Sequence, residues 1–122
     1  MARCPGSCTE SISNDLKWFK IDHAGLLSGN LVDGDWGNGE YLIRHELIAI
    51  HAYWTGPQFY VECAQLKVVG GGGKLPLDEY LVSFPGAYKA SDPGFNVDLY
   101  SPEAPTITTY ELPGPAVWTG ED

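Results

Sequence analysis

The chain has 122 residues, 43% of them hydrophobic, with 15 Gly and 9 Pro set in turn-like clusters between short apolar runs. That length suits a single domain, residues 1–122, able to bury about two-thirds of its unfolded surface, and the pattern suits an all-β chain rather than a long helical bundle. The 7 basic and 16 acidic residues give a formal charge of −9, which repels phosphate backbones and anionic lipid surfaces and so excludes nucleic acid as a partner, while an uncharged polysaccharide fits it. No apolar run approaches the roughly 18 residues of a membrane span, and residues 1–14 carry no apolar core of a signal peptide.

In chain order, Cys4 and Cys8 come first and enclose Pro5, Gly6 and Ser7, a tight turn that can bring two sulfurs together. Half of a zinc site is the rival reading, but it lacks a second cysteine pair and a nearby His-x-x-x-His. Residues 15–22, DLKWFKID, alternate apolar and charged side chains and read as a strand, followed by a turn-rich region over 25–39. Residues 40–69 read as a long hairpin. Its first arm also has near-helical spacing at Leu42, Ile43, Leu47 and Ile50, and periodicity alone leaves both readings open.

As a strand, the first arm puts Tyr41, Ile43, His45, Leu47, Ala49 and His51 on one face and Leu42, Arg44, Glu46, Ile48 and Ile50 on the other. After a turn at Thr55, Gly56 and Pro57, the second arm carries Gln58, Tyr60, Glu62, Ala64, Leu66 and Val68 on one face. His51, Gln58 and Tyr60 then converge near one end of the hairpin. Beyond it, GGGGKLP over 70–76 is a flexible connection, and short strands are expected at 80–83 and 95–100.

Each candidate also has a bland reading. His51 suits a strand-end histidine satisfied by a backbone carbonyl, Gln58 a turn-flanking polar residue, and Tyr60 an aromatic on a half-buried strand. Tyr110 suits a rim tyrosine packed on Pro113 or Pro115, Trp118 a core or edge anchor, and His23 a solvated position. His45 shares a face with His51, but six residues of strand separate them by about 20 Å, too far for one ion. Blue-copper ligation finds no local signature.

The runs RHELIAIHA, GPQFYVECAQL, FPGAY, SDPGFNVDLY and TYELPGPAVW, with DLKWFKIDHAGLLSG upstream, cover most of the chain. In the same order they resemble the C-terminal part of the fungal lytic polysaccharide monooxygenases of auxiliary activity family 9, formerly glycoside hydrolase family 61. The resemblance implies an immunoglobulin-like or fibronectin-III-like β-sandwich with long loops, incomplete here, and a strand for the first arm of the hairpin. It implies an extracellular protein, one bound copper, and oxidative cleavage of cellulose or a related β-glucan. His51 and Gln58 match residues that hydrogen-bond and orient oxygen species near the copper, and Tyr60 matches the axial copper position. Tyr110 matches a surface tyrosine whose ring lies against a sugar. Cys4 and Cys8 match a disulfide, and Cys63 a cysteine whose partner has no counterpart here, so it is expected to be buried and unpaired, or available for an intermolecular bridge.

The departures carry equal weight. The family holds copper through an N-terminal histidine and a second histidine, whereas this chain begins Met1, Ala2, Arg3, which resembles the middle of a family strand. Both equatorial histidines are absent. After Gly29, NLVDGDWGNGEY stands where the family carries a longer loop and another strand. The expectation is a truncated relative without a proper copper site, with exposed sheet edges and a tendency to self-association. The alternative to an enzyme is a non-catalytic polysaccharide-binding β-domain or a truncated gene product.

Overall fold

A computed structural model describes residues 1–23, 37–51 and 55–120. Most of the turn-rich region read at 25–39 lies outside the described residues. Within them the chain is all-β, with one open antiparallel sheet made of β1 (Ala2–Arg3), β2 (Gly39–Ala49) and β3 (Gln58–Val68), in that spatial order. The hairpin arms are strands, as the aromatic and β-branched residues Tyr41, Ile43 and Ile48 favour. Tyr41 lies opposite Leu66, His45 opposite Glu62, Leu47 opposite Tyr60 and Ala49 opposite Gln58. Cross-strand partners share a face, so the two faces read from period two are the two faces of the sheet.

Past β1 the sheet continues through single bridges. Trp18 pairs with both Ala2 and Val82, and Lys20 pairs with Val117. The strand expected over 15–22 is therefore reduced to two bridging residues, its start being taken by the 3-10 turn Ser13–Asp15. The one expected over 80–83 supplies only Val82. No strand forms over 95–100, because local hydrogen bonds compete with a ladder there. Pro93–Phe95 is a 3-10 turn, the Asn96 amide donates to the Ala90 and Asp92 carbonyls at 2.9 and 3.0 Å, and the Tyr100 N–H donates to the Asp98 carboxylate at 2.9 Å.

Alternation along β1 and its neighbours divides the core between the two sheet faces. Ala2, Leu16, Trp18, Cys4 and Cys8 pack with Leu42, Val82 and Phe84, while Met1, Phe19, Tyr41 and Trp118 pack with Ile21, Val68 and Leu81. Trp18 meets Phe84 edge-on at 5.8 Å, and Phe19 meets Trp118 in the same way at 5.4 Å. Trp118 is thus a core anchor. Cys4 and Cys8 form a disulfide with Cα atoms 5.3 Å apart. Glu40 at the start of β2 stitches that turn down, its carbonyl accepting the Cys4 N–H at 2.8 Å and its carboxylate the Cys8 N–H at 2.9 Å. Among the described residues, no helix is long and apolar enough to cross a membrane.

Candidate functional site

At the far end of the hairpin, Leu47 and Ala49 of β2 lie opposite Tyr60 and Gln58 of β3. Gln58 and Tyr60 are two apart on a strand and so share a face; the Tyr60 hydroxyl donates to the Gln58 carboxamide oxygen at 2.8 Å. The surface around them is open, with Tyr60 57% and Leu47 60% exposed. His51 follows β2 at the same parity, two residues past Ala49, and is exposed. The structure brings Gln58 and Tyr60 into direct contact, and no hydrogen bond among the described residues joins His51 to either. Residues 52–54 of the connection lie outside the described residues.

The site therefore offers one phenol, one carboxamide and one imidazole along an open strand face. Copper(II) takes a tetragonal set of nitrogen and oxygen ligands. The Gln58 oxygen already accepts from Tyr60, and no three His, Cys, Asp or Glu side chains among the described residues lie together as a metal-binding group. These residues do not fit a copper site by themselves. His45, opposite Glu62 further down the hairpin, adds no ligand to this end.

The reverse face of the same hairpin carries a polar network in which Arg44 and Glu46, neighbours on one face by strand periodicity, meet groups from segments beyond β3. The Arg44 guanidinium donates to the Glu46 carboxylate at 3.2 Å and lies over the Phe84 ring, 4.5 Å from its centre. The Tyr88 hydroxyl donates to the other Glu46 oxygen at 2.9 Å, and Tyr88 itself stacks on Phe59 at 5.5 Å and meets Phe95 edge-on at 5.7 Å. Burial first, and then the Glu46 carboxylate, push the Tyr88 phenol far above the ordinary tyrosine range. Burial lowers the Lys20 ammonium, partly offset by Glu46, and Lys20 donates to the Pro113 carbonyl at 2.7 Å. Arg44 and Glu46, partly withdrawn from water, are held as an ion pair, whereas Lys20 is held by a neutral carbonyl. The sequence signal was available: opposite charges two apart on a strand share a face.

Tyr110 is half-buried, with its hydroxyl donating to the Gly94 carbonyl at 2.9 Å, and burial raises its pKa. A Cβ on Gly94 would run into the Glu111 carbonyl and sit 3.0 Å from the Tyr110 hydroxyl, so a glycine is what lets these two segments close. Cys63 is free but exposed, which corrects the expectation of burial. It faces the Arg44 side of the sheet, but β3 is an edge strand and the aromatic cover over Phe59 does not reach it. A groove of about 440 Å³ lined by Arg3, Asp15, Lys17, Leu75 and Leu81 lies beside the disulfide, at the other end of β2 from His51.

The sequence profile of Auxiliary Activity family 9 (formerly GH61) matches residues 1–110. An AA9 family lytic polysaccharide monooxygenase B from Heterobasidion irregulare is 49% identical over 140 aligned positions, covering 98% of this chain and 56% of that protein. A lytic polysaccharide monooxygenase-like protein of the same family from Agaricus bisporus is 45% identical, covering 97% of this chain and 43% of its own length. Among solved structures, HiLPMO9B superposes with a TM-score of 0.83 at 47% identity, over 98% of this chain and 60% of that one. A cellulose-active polysaccharide monooxygenase from M. thermophila superposes with a TM-score of 0.76 at 31% identity, over 97% of this chain and 62% of its own. The chain thus spans about half the length of the curated relatives it matches. The H. irregulare alignment is longer than the 122 residues present, so that relative carries residues within the matched stretch that have no counterpart here.

Proposed function

Because the chain belongs to auxiliary activity family 9, we propose that it is one domain carrying the hairpin part of a polysaccharide monooxygenase fold. His51, Gln58 and Tyr60 are then the groups that flank a copper site whose equatorial ligands are not among these three. The observation that carries this reading is the open strand face on which the Tyr60 hydroxyl donates to the Gln58 carboxamide oxygen. On this reading the protein works outside the cell in contact with cellulose or a related β-glucan, and the three residues alone give no copper-dependent cleavage of it. The test is to load copper, remove the excess, add ascorbate and cellulose, and measure oxidised oligosaccharides against free copper. Equality with the control is expected. Products above it, abolished by Tyr60→Phe and by His51→Ala, would show a working site and overturn the proposal.

The anchored ring of Tyr110 favours a second reading, a non-catalytic polysaccharide-binding domain. A ring fixed by its hydroxyl can present one face to a sugar without further ordering. Adsorption to cellulose should then fall with Tyr110→Ala and persist with Tyr100→Ala, Tyr100 being 65% exposed elsewhere. Equal adsorption by the two variants removes this reading.

A further inference from the structure

The groove beside the Cys4–Cys8 turn is used by neither reading above. At about 440 Å³ it falls within the size range of small-molecule sites, and Leu75, Pro76 and Leu81 give it an apolar lining. Its walls are held in place by the protein itself. Residues 70–76, read from the sequence as a flexible connection, are tied down: the Gly37 N–H donates to the Lys74 carbonyl at 2.7 Å, the Lys74 ammonium to the Gly120 carbonyl at 2.7 Å, and the Gly71 N–H to the Asn38 side-chain oxygen at 2.9 Å. Trp18 and Val82 exchange both backbone hydrogen bonds at 2.8 Å, which seats the adjoining Lys17 and Leu81. A pocket ordered in advance does not spend binding energy on ordering itself.

We propose that this groove binds a small amphipathic carboxylate, its apolar body against Leu75, Pro76 and Leu81 and its charged end on the Arg3 and Lys17 side chains. Charge selects that class. Arg3, Lys17 and Asp15 line the groove, two cations against one carboxylate, in a chain whose 7 basic and 16 acidic residues leave it at −9. The groove is thus locally positive on a negative molecule and draws in a small anion. Both cations have donors to give. The Arg3 guanidinium donates to the Asn38 carbonyl at 3.1 Å and the Lys17 ammonium to the Ser83 hydroxyl at 2.9 Å. A guanidinium has five N–H donors and an ammonium three, so these bonds orient the two heads without exhausting them. A singly charged carboxylate matches the one surplus positive charge, whereas a phosphate ester, near two negative charges, meets stronger repulsion from Asp15. The apolar lining favours a ligand with a hydrocarbon or aromatic body over a fully hydrated anion.

The experiment titrates the whole chain with phenylacetate, phenylacetamide and phenethylamine, probes of similar shape that are negative, neutral and positive, and follows the backbone amide shifts by NMR. Phenylacetate should shift the Lys17, Leu75 and Leu81 amides saturably and bind about tenfold more tightly than phenylacetamide, the worth of one charge-assisted hydrogen bond. Lys17→Gln should remove most of that advantage and Asp15→Asn should enlarge it. Both variants should bind phenylacetamide as the parent chain does, which reports an intact groove. The proposal is overturned if phenylacetate gives no saturable shift at those amides, if phenylacetamide or phenethylamine binds as tightly, or if neither charge substitution changes the advantage. Copper, Tyr60 and Gln58 take no part, so failure here leaves the reading of the oxidative site to its own test.

Discussion

The two faces of the β2–β3 hairpin come from the same strands and the same alternation, yet at the His51 end they are finished differently. One face sets Arg44 and Glu46 beneath Phe84 and Tyr88, with the charges paired, while Phe59, itself 40% exposed, holds Tyr88 and Phe95 by stacked and edge contacts at the margin. The other leaves Leu47 and Tyr60 open to water, with the Tyr60–Gln58 hydrogen bond among its exposed groups. Strand pattern decides which residues share a face; what covers that face is decided by segments far along the chain. Here the loops that carry Phe84, Tyr88 and Phe95 cover only one side of that end.

Truncating one large residue on each face tests the contrast most directly. Phe95 is 5% exposed, and Phe95→Ala should lower stability by about 3–5 kcal/mol in urea unfolding, the usual loss for emptying a buried aromatic site. Leu47→Ala should change stability by less than about 0.5 kcal/mol, as surface substitutions do. A loss above about 2 kcal/mol for Leu47→Ala would mean that the open face is covered in solution.

Acid gives the next largest effect. Burial lowers the Met1 amine from 8.0 to about 5 in the folded chain. Between those values the unfolded chain binds the extra proton, so this stabilisation is complete above pH 8 and is lost progressively as pH falls to 5. The loss amounts to about 4 kcal/mol by proton linkage. Acetylating the amine should flatten stability across that window while leaving the open face as it is. An acetylated chain with the same slope would assign the titration to another group. The alkaline limb has the opposite sense: the Tyr88 phenol is raised above its ordinary 10.0, so stability on the covered face is present below pH 10 and falls above it, and Tyr88→Phe removes that fall.

How much of this was legible in the sequence follows the same division. Period two gave both faces of the hairpin, including the shared side of Gln58 and Tyr60, because each depends only on alternation within one strand. Family motifs gave the sandwich fold and the partial span of it. Residues 15–22 have strand alternation, but alternation says nothing about partners, and only isolated bridges form there, two at Trp18 and one at Lys20. Residues 95–100 failed as a strand because Asp92, Asn96 and Asp98 bond locally, a signal present in their composition. The exposure of Cys63 was illegible because it depends on where the aromatic cover stops.

Removing the disulfide is a smaller change. The Cys4→Ser, Cys8→Ser double variant should lose roughly 2 kcal/mol, the chain-entropy value for so short a loop. Glu40 still accepts the Cys4 and Cys8 N–H groups in that variant, so the turn should keep its place and the exposure of Leu47 and Tyr60 should not change. If the loss is accompanied by faster amide exchange throughout β2, then the turn holds the sheet rather than only itself.

The smallest effect in stability, and the one that locates the boundary of the covered face, is at Cys63. It lies directly opposite Arg44 on the covered side of the sheet, yet it is exposed. A thiol reagent should therefore label one site per native, unreduced chain without denaturant, and three after reduction and unfolding, with little change in stability. Three labels before reduction would remove the Cys4–Cys8 bridge. Labelling that requires unfolding would show that the aromatic cover over Phe59 extends along β3 as far as Arg44, in which case the difference between the two faces would be larger than the contacts of Phe84, Tyr88 and Phe95 account for.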